Sequence, residues 1–250
     1  MKKIIKHMLL VVAALAFVAC NQQQNTAAEP LLVTAGASEQ ALEHVLSKQE
    51  QMDLTADGVI AQLKEGNRLF RSNQLTARDY SQQVKNAAEG QYPEAIILSC
   101  VDSRVPVESV FNKGIGDLFV ARVAGNFVNE DMLGSMEFAC KVSGSKLIVV
   151  LGHGNCGAVR AAIDGVELGN ITAMLQKIRP AVDDVDYGGA RTGANQEFVD
   201  LVCHSNILHT INQIRSQSPI LKEMEDNQEI KIVGAIYDMD SGEVSWLEVF

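Results

Sequence analysis

Beyond residue 6 the chain has no cluster of basic residues. Lys and Arg number 21 against 31 Asp and Glu, a formal net charge of -10. No stripe of cations is available to follow a phosphate backbone, so nucleic acid is excluded as a partner. The Gly-x-x-x-x-Gly-Lys loop of nucleotide-binding modules is missing as well. Asp183, Asp184 and Asp186, followed by Gly188 and Gly189, lack the ligand spacing of a calcium loop and read as solvated surface. Cysteine is sparse, with five in 250 residues, while 47% of the chain is hydrophobic. That is enough for one sizeable core, and no second domain is needed.

Two apolar runs end in soft metal ligands. They are Ala95-Ile-Ile-Leu-Ser-Cys-Val-Asp-Ser-Arg104 and Leu147-Ile-Val-Val-Leu-Gly-His-Gly-Asn-Cys156. Both have strand character, so neighbouring parallel strands would deliver Cys100 and His153 to the same carboxyl-end crevice. With Cys156, two thiolates and an imidazole satisfy three corners of a tetrahedral zinc, and a catalytic site keeps the fourth for water or substrate. Asp102 either takes that corner or pairs with Arg104 and orients a zinc-bound hydroxide. A lone His153 would signal little; His-x-x-Cys after one strand and Cys-x-Asp-x-Arg after another signal a metal site.

These blocks, with Gly116-Asp-Leu-Phe-Val-Ala-Arg-Val-Ala-Gly-Asn126 between them and the second continuing to Val159, resemble the beta-class carbonic anhydrases, zinc enzymes that hydrate carbon dioxide. The resemblance runs from about Leu54 to Val249. It implies one Zn2+ per chain on Cys100, His153 and Cys156, Asp102 with Arg104 as the catalytic pair, and Gln91 beside the substrate. It further implies reversible conversion of carbon dioxide and water to bicarbonate by a homodimer or dimer-based tetramer. Gly154 stands where the family often has threonine and Val101 where serine is common, and neither change removes a ligand. Members whose aspartate swings onto zinc carry tryptophan and glycine where this chain has Ile97 and Ser99. The expectation is therefore an open site, with Asp102 paired to a partly buried Arg104. A carbonyl sulfide or carbon disulfide hydrolase would use much the same ligands. A noncatalytic zinc lipoprotein would leave Asp102, Arg104 and Gln91 unexplained.

The expected fold is α/β, three-layered, with a mostly parallel central sheet flanked by helices, a C-terminal antiparallel edge strand and an N-terminal helical arm. Residues 1–19 read as a signal peptide: Lys2, Lys3 and Lys6, an apolar Met8 to Val18, then Phe17-Val-Ala-Cys20. This resembles a bacterial lipoprotein signal in which Cys20 is lipidated, residues 20–37 are a flexible tether, and 38–250 form the zinc domain. Asn21 then favours the outer membrane, with the domain facing the periplasm. The alternative is a plain secretory peptide cut near Ala19.

Along the domain, Ser38 to Gln51 shows helical spacing with Ser38 as cap, and a second helix runs from about Thr55 or Asp57 to Phe70. This pair either folds back on the domain or, as the resemblance suggests, embraces a second subunit. Arg71 to Gly90 is mostly polar. Strands are expected at Ile96–Leu98, Leu118–Ala121, Leu147–Leu151 and Ile230–Ile236, with an edge strand in Glu243–Phe250. Helices are expected from Pro106 to Phe111, Met132 to Val142, Gly157 to Ile163, Ile171 to Ile178 (closed by Pro180) and Asn195 to Ile214, and Pro219 to Met224 is a brief segment that resembles one in the family. Arg122 holds a loop or a subunit contact, and Gly125-Asn126 lets the backbone approach the pocket. Tyr237 either borders the pocket or is structural. Cys140 and Cys203 are the remaining candidates for a disulfide, but their apolar surroundings favour reduced thiols.

Overall fold

The computed structural model describes residues 41–247. The expected signal peptide, the tether, Ser38 as a cap and Val249 lie outside the described residues. Residues 41–47 are not helical; Leu42 forms an isolated bridge with Arg78 instead. The first helix, α1 (Lys48–Asp53), begins at a capping box in which the Ser47 hydroxyl accepts the Glu50 N–H and the Glu50 carboxylate accepts the Ser47 N–H. That reciprocal pair satisfies two otherwise orphaned donors, which moves the helix start well past Ser38. Helix α2 (Ala56–Arg71) is capped by Thr55, whose hydroxyl accepts from Gly58 N–H at 3.1 Å. Val59 and Leu63 of α2 are buried against the sheet of the same chain. Helix α3 (Tyr80–Asn86) was not expected in the polar stretch. Its one buried residue is Gln83, so no apolar stripe announces it.

The described strands are β1 (Ala95–Ser99), β2 (Leu118–Arg122), β3 (Leu147–His153), β4 (Lys231–Tyr237) and β5 (Val244–Trp246), in spatial order β2-β1-β3-β4-β5. All neighbours are parallel except β5, which runs antiparallel to β4. Every residue of β1 and β3 is buried, as unbroken apolar strands require when both faces are covered. Of the edge strand expected in Glu243–Phe250, β5 is seen over Val244–Trp246, and residues 248–250 lie outside the described residues.

The remaining helices are α4 (Val107–Val110), α5 (Glu130–Glu137), α6 (Gly157–Asp164), α7 (Gly169–Leu175), α8 (Arg179–Asp183), α9 (Gln196–Gln217) and α10 (Pro219–Asp226). The helix expected over Met132–Val142 is instead α5 followed by a π-helical turn, Phe138–Val142, where Ser143 N–H reaches back to Phe138 O at 2.9 Å. The widened turn keeps Ala139 and Cys140 in the core. Pro180 does not close a helix but sits in the first turn of α8, where its missing N–H costs nothing.

The three layers follow from strand alternation. Ile96, Leu98, Ile148 and Val150 face α5, the π-turn, α9 and α10. Ala95, Ile97, Leu147, Val149 and Leu151 face α2 and α4. A third apolar cluster holds Cys100 and Cys156 with residues of α6, α7, α8 and the first half of α9.

Candidate metal centre

Because β1 and β3 are adjacent and in register, with Ser99 opposite Leu151, their carboxyl ends coincide. Cys100 follows β1 directly, and Cys156 immediately precedes α6. His153 is the last residue of β3, which runs through Gly152 and does not stop at Leu151 as the sequence suggested; it lies opposite Tyr237 of β4. The donor atoms of Cys100, His153 and Cys156 all lie within 4.8 Å of one another, and all three residues are buried. Among the described residues this is the group of metal-ligating side chains that the fold gathers.

The donor set fits a zinc ion. His153 Nδ1 lies 2.8 Å from Gly154 O. A carbonyl can only accept, so Nδ1 carries a proton and the neutral ring offers its lone pair at Nε2. That Nε2 is buried with no hydrogen-bond partner in the protein, an expensive arrangement unless a cation takes the lone pair. The two thiols tell the same story. The two thiols share one proton: the hydrogen bond between them lowers the pKa of Cys100 despite burial and, with burial, raises that of Cys156. One proton does for this pair what a dication would do better, since a metal lets both sulfurs ionise.

Arg122 and Gly125 support the first ligand. Arg122 donates to Cys100 O at 2.9 Å, Asp102 O at 2.7 Å and Val105 O at 2.9 Å, clamping the ligand loop. Of the two roles open to Arg122, loop holder is the one observed, and the loop is the one that carries the site. Gly125 N–H donates to Cys100 Sγ at 3.3 Å.

Asp102 stands at the rim, its Oδ2 3.9 Å from His153 Nε2. Arg104 grips it with three bonds: backbone N–H and Nε to Oδ1 at 3.0 and 2.9 Å, and Nη2 to Oδ2 at 2.8 Å. The guanidinium holds this carboxyl well below the usual carboxylate range. One expectation is corrected here: the Arg104 side chain is 57% exposed and not partly buried. The cost of unpairing it is therefore small.

Gln91 is not brought to the cluster of its own chain. It is exposed and precedes Pro93, whose carbonyl is pinned by Gln51 and Ser145 at the amino end of β1. The strand then runs five residues, roughly 16 Å, before reaching Cys100. Tyr237 belongs to the apolar core on the α2 face, which makes its ring structural. Cys140 and Cys203 are free, and burial lifts each thiol to about 12. Gly152, Gly154 and Gly157 do have the Gly-x-Gly-x-x-Gly spacing of a dinucleotide loop. Here, however, the intervening His153 and Cys156 are turned into the metal cluster, which leaves no role for a pyrophosphate.

A buried Cys-His-Cys donor set at the carboxyl ends of adjacent parallel strands, with an ion-paired carboxylate at its rim, defines a catalytic zinc site of the α/β class. The family model for carbonic anhydrase matches residues 95–244. Carbonic anhydrase 2 of Mycobacterium tuberculosis is 35% identical over 188 residues, covering 72% of this chain and 87% of its own length. A carbonic anhydrase of Mycolicibacterium smegmatis is 31% identical, with coverage of 73% and 88%. The fold is shared with the beta-carbonic anhydrase CafA of Aspergillus fumigatus at a TM-score of 0.59 and 24% identity, over 77% of this chain and 90% of that one. The chain belongs to the beta carbonic anhydrase family. It is a zinc-dependent carbonate dehydratase that interconverts carbon dioxide and bicarbonate, with one zinc site per chain formed by Cys100, His153 and Cys156.

Proposed function

We propose that Asp102, held by Arg104, is the group that accepts and aims the reacting water in this site. The observation carrying the reading is the three-bond grip of Arg104 on a carboxylate whose Oδ2 lies 3.9 Å from His153 Nε2. A bound zinc would supply Lewis-acid activation of water near neutral pH. Asp102 is ionised there and Arg104 fixes its orientation, so its free lone pairs accept a hydrogen bond at Oδ2 and fix the direction of attack on carbon dioxide. With zinc bound, two sulfur anions would crowd the metal position, which argues against a third anion leaving Arg104 to join them. Asp102→Asn is expected to keep its zinc and lose about 10²–10⁴-fold in kcat/KM for carbon dioxide hydration. Full activity in that variant would remove Asp102 from the mechanism, and zinc-loaded wild type without turnover of carbon dioxide would sink the whole reading.

Gln91 serves, on this proposal, a second copy of the chain. Its own cluster lies at the other end of β1, so a role beside substrate requires a homodimer, or a tetramer built from dimers, in which Gln91 enters the partner's pocket.

The proposal extends to the cell. The pattern of residues 1–20 supports export as a lipoprotein, with lipidated Cys20 anchoring the domain at the outer membrane on its periplasmic side. Among the described residues no helix is long and apolar enough to cross a membrane. Mass spectrometry of the mature protein should find a diacylated Cys20, and Cys20→Ala should abolish membrane fractionation. An unmodified mature start beyond residue 20 would count decisively against the anchor.

A further inference from the structure

The three ligands are not equally supported, and the support of Cys100 leads away from the pocket to α9. The N–H that reaches Cys100 Sγ belongs to Gly125, whose φ of +84° is open to glycine at no steric cost. A Cβ built there would stand 2.4 Å from Ile178 Cδ1, so a side chain at this position would have to displace that buried methyl. Its position is fixed from the other side by Asn206, whose Nδ2 donates to Gly125 O at 2.8 Å. One helical turn on, Thr210 donates to Asn126 O at 3.4 Å.

Asn206 is itself out of place by composition. It is 1% exposed, on a buried face of α9 that, Thr210 apart, carries Phe198, Val199, Val202, Cys203, Ile207 and Ile211. Its Oδ1 has no protein partner. A buried amide left half satisfied is a liability in an apolar stripe, and a leucine there would pack without one. What Asn206 does with its single bond is hold the residue that donates to the metal ligand.

We propose that Asn206 is a positioning residue for the zinc centre, acting through Gly125 to keep an N–H on the Cys100 sulfur. A site with two thiolates loads more negative charge on its metal than one built from imidazoles. A hydrogen bond to sulfur withdraws part of that charge and restores Lewis acidity, the kind of tuning that partners of ligands exert. The inference rests on the zinc reading above and assigns Asn206 no contact with substrate.

The test uses the full protein loaded with 113Cd and labelled with 15N-glycine. The Gly125 amide proton should show scalar coupling to cadmium through Cys100 Sγ, alongside coupling from the Cys100 β-protons. Coupling at the β-protons but none at Gly125 would overturn this inference and leave the metal reading standing; coupling at neither would overturn both. In the cobalt-loaded protein, Asn206→Leu should move the thiolate-to-metal charge-transfer band to lower energy and lower kcat/KM about tenfold with the metal retained. Thr210→Val, which removes only the bond to Asn126 O, should leave that band in place. An unmoved band in Asn206→Leu, or an equal shift in both variants, would overturn the proposal. The cadmium coupling is read in wild type and so can still overturn the proposal where Asn206→Leu does not fold.

Discussion

Arg104 shows how exposure sets what a residue can be asked to do. With more than half its side chain in water, its pair with Asp102 adds little to stability, because solvent screens such contacts. Its effect lies in geometry and charge state. The folded pKa of Asp102 is depressed, so the charged form is favoured above the ordinary carboxylate value and is lost only as pH falls through the lower, folded one. Removing Arg104 lets that pKa return toward about 3.9, which still leaves Asp102 ionised at pH 7. Arg104→Ala should therefore keep its zinc and its fold while losing about 10–100-fold in kcat/KM from misdirection of the carboxylate. Metal analysis beside hydration kinetics checks this, and a variant that loses zinc in proportion to activity would show that Arg104 supports binding instead. At this scale the sequence exposed the groups that act through side-chain chemistry: Cys100, Asp102, Arg104, His153 and Cys156. It marked Gly125 as a point where the backbone approaches the pocket, but concealed Asn206, which acts by holding a backbone carbonyl and so leaves no recognisable spacing.

The elements divide in the same way. Strands β1 and β3 were legible because continuous apolar runs have few other homes, and their adjacency followed from two ligands needing one crevice. Helix α3 was hidden because its buried residue is Gln83, a polar side chain that donates to His44 O. The π-turn was hidden because its extra residue per turn is set by burial of Ala139 and Cys140, not by local propensity. Helix α2 illustrates a contact that periodicity cannot report. At Gly66 it approaches the chain after α4 so closely that a Cβ would lie 1.9 Å from Phe111 O, a backbone atom with nowhere to move. Although alanine is the better helix former, Gly66→Ala should destabilise the domain by about 1–3 kcal/mol as α2 is forced off the sheet. A lowered thermal midpoint with normal zinc content at low temperature is the expected result. An unchanged or raised midpoint would mean that propensity outweighs the contact.

For the whole molecule the open matter is how a residue at one end of the sheet serves a metal at the other. Gln91 lies before β1 and the ligands lie after it, so the resemblance that puts Gln91 beside substrate and the geometry of one chain agree only if two chains share each site. Mixed assemblies separate the cases. A Cys156→Ser chain lacks a charged soft ligand and should hold little zinc, yet its Gln91 is intact. A Gln91→Ala chain keeps its metal but should lose about 10²-fold in turnover, the usual cost of one donor aimed at a reacting oxygen. Each homodimer is then nearly inactive. If Gln91 acts in trans, a heterodimer of the two variants contains a complete site: zinc from the Gln91→Ala chain and the glutamine of the Cys156→Ser chain. Activity should return to about half that of wild type, since the other site lacks both parts. If Gln91 acts in cis, or not at all, no mixture recovers activity beyond that of its components. Tandem purification on two tags, followed by hydration kinetics of the isolated heterodimer, distinguishes these outcomes.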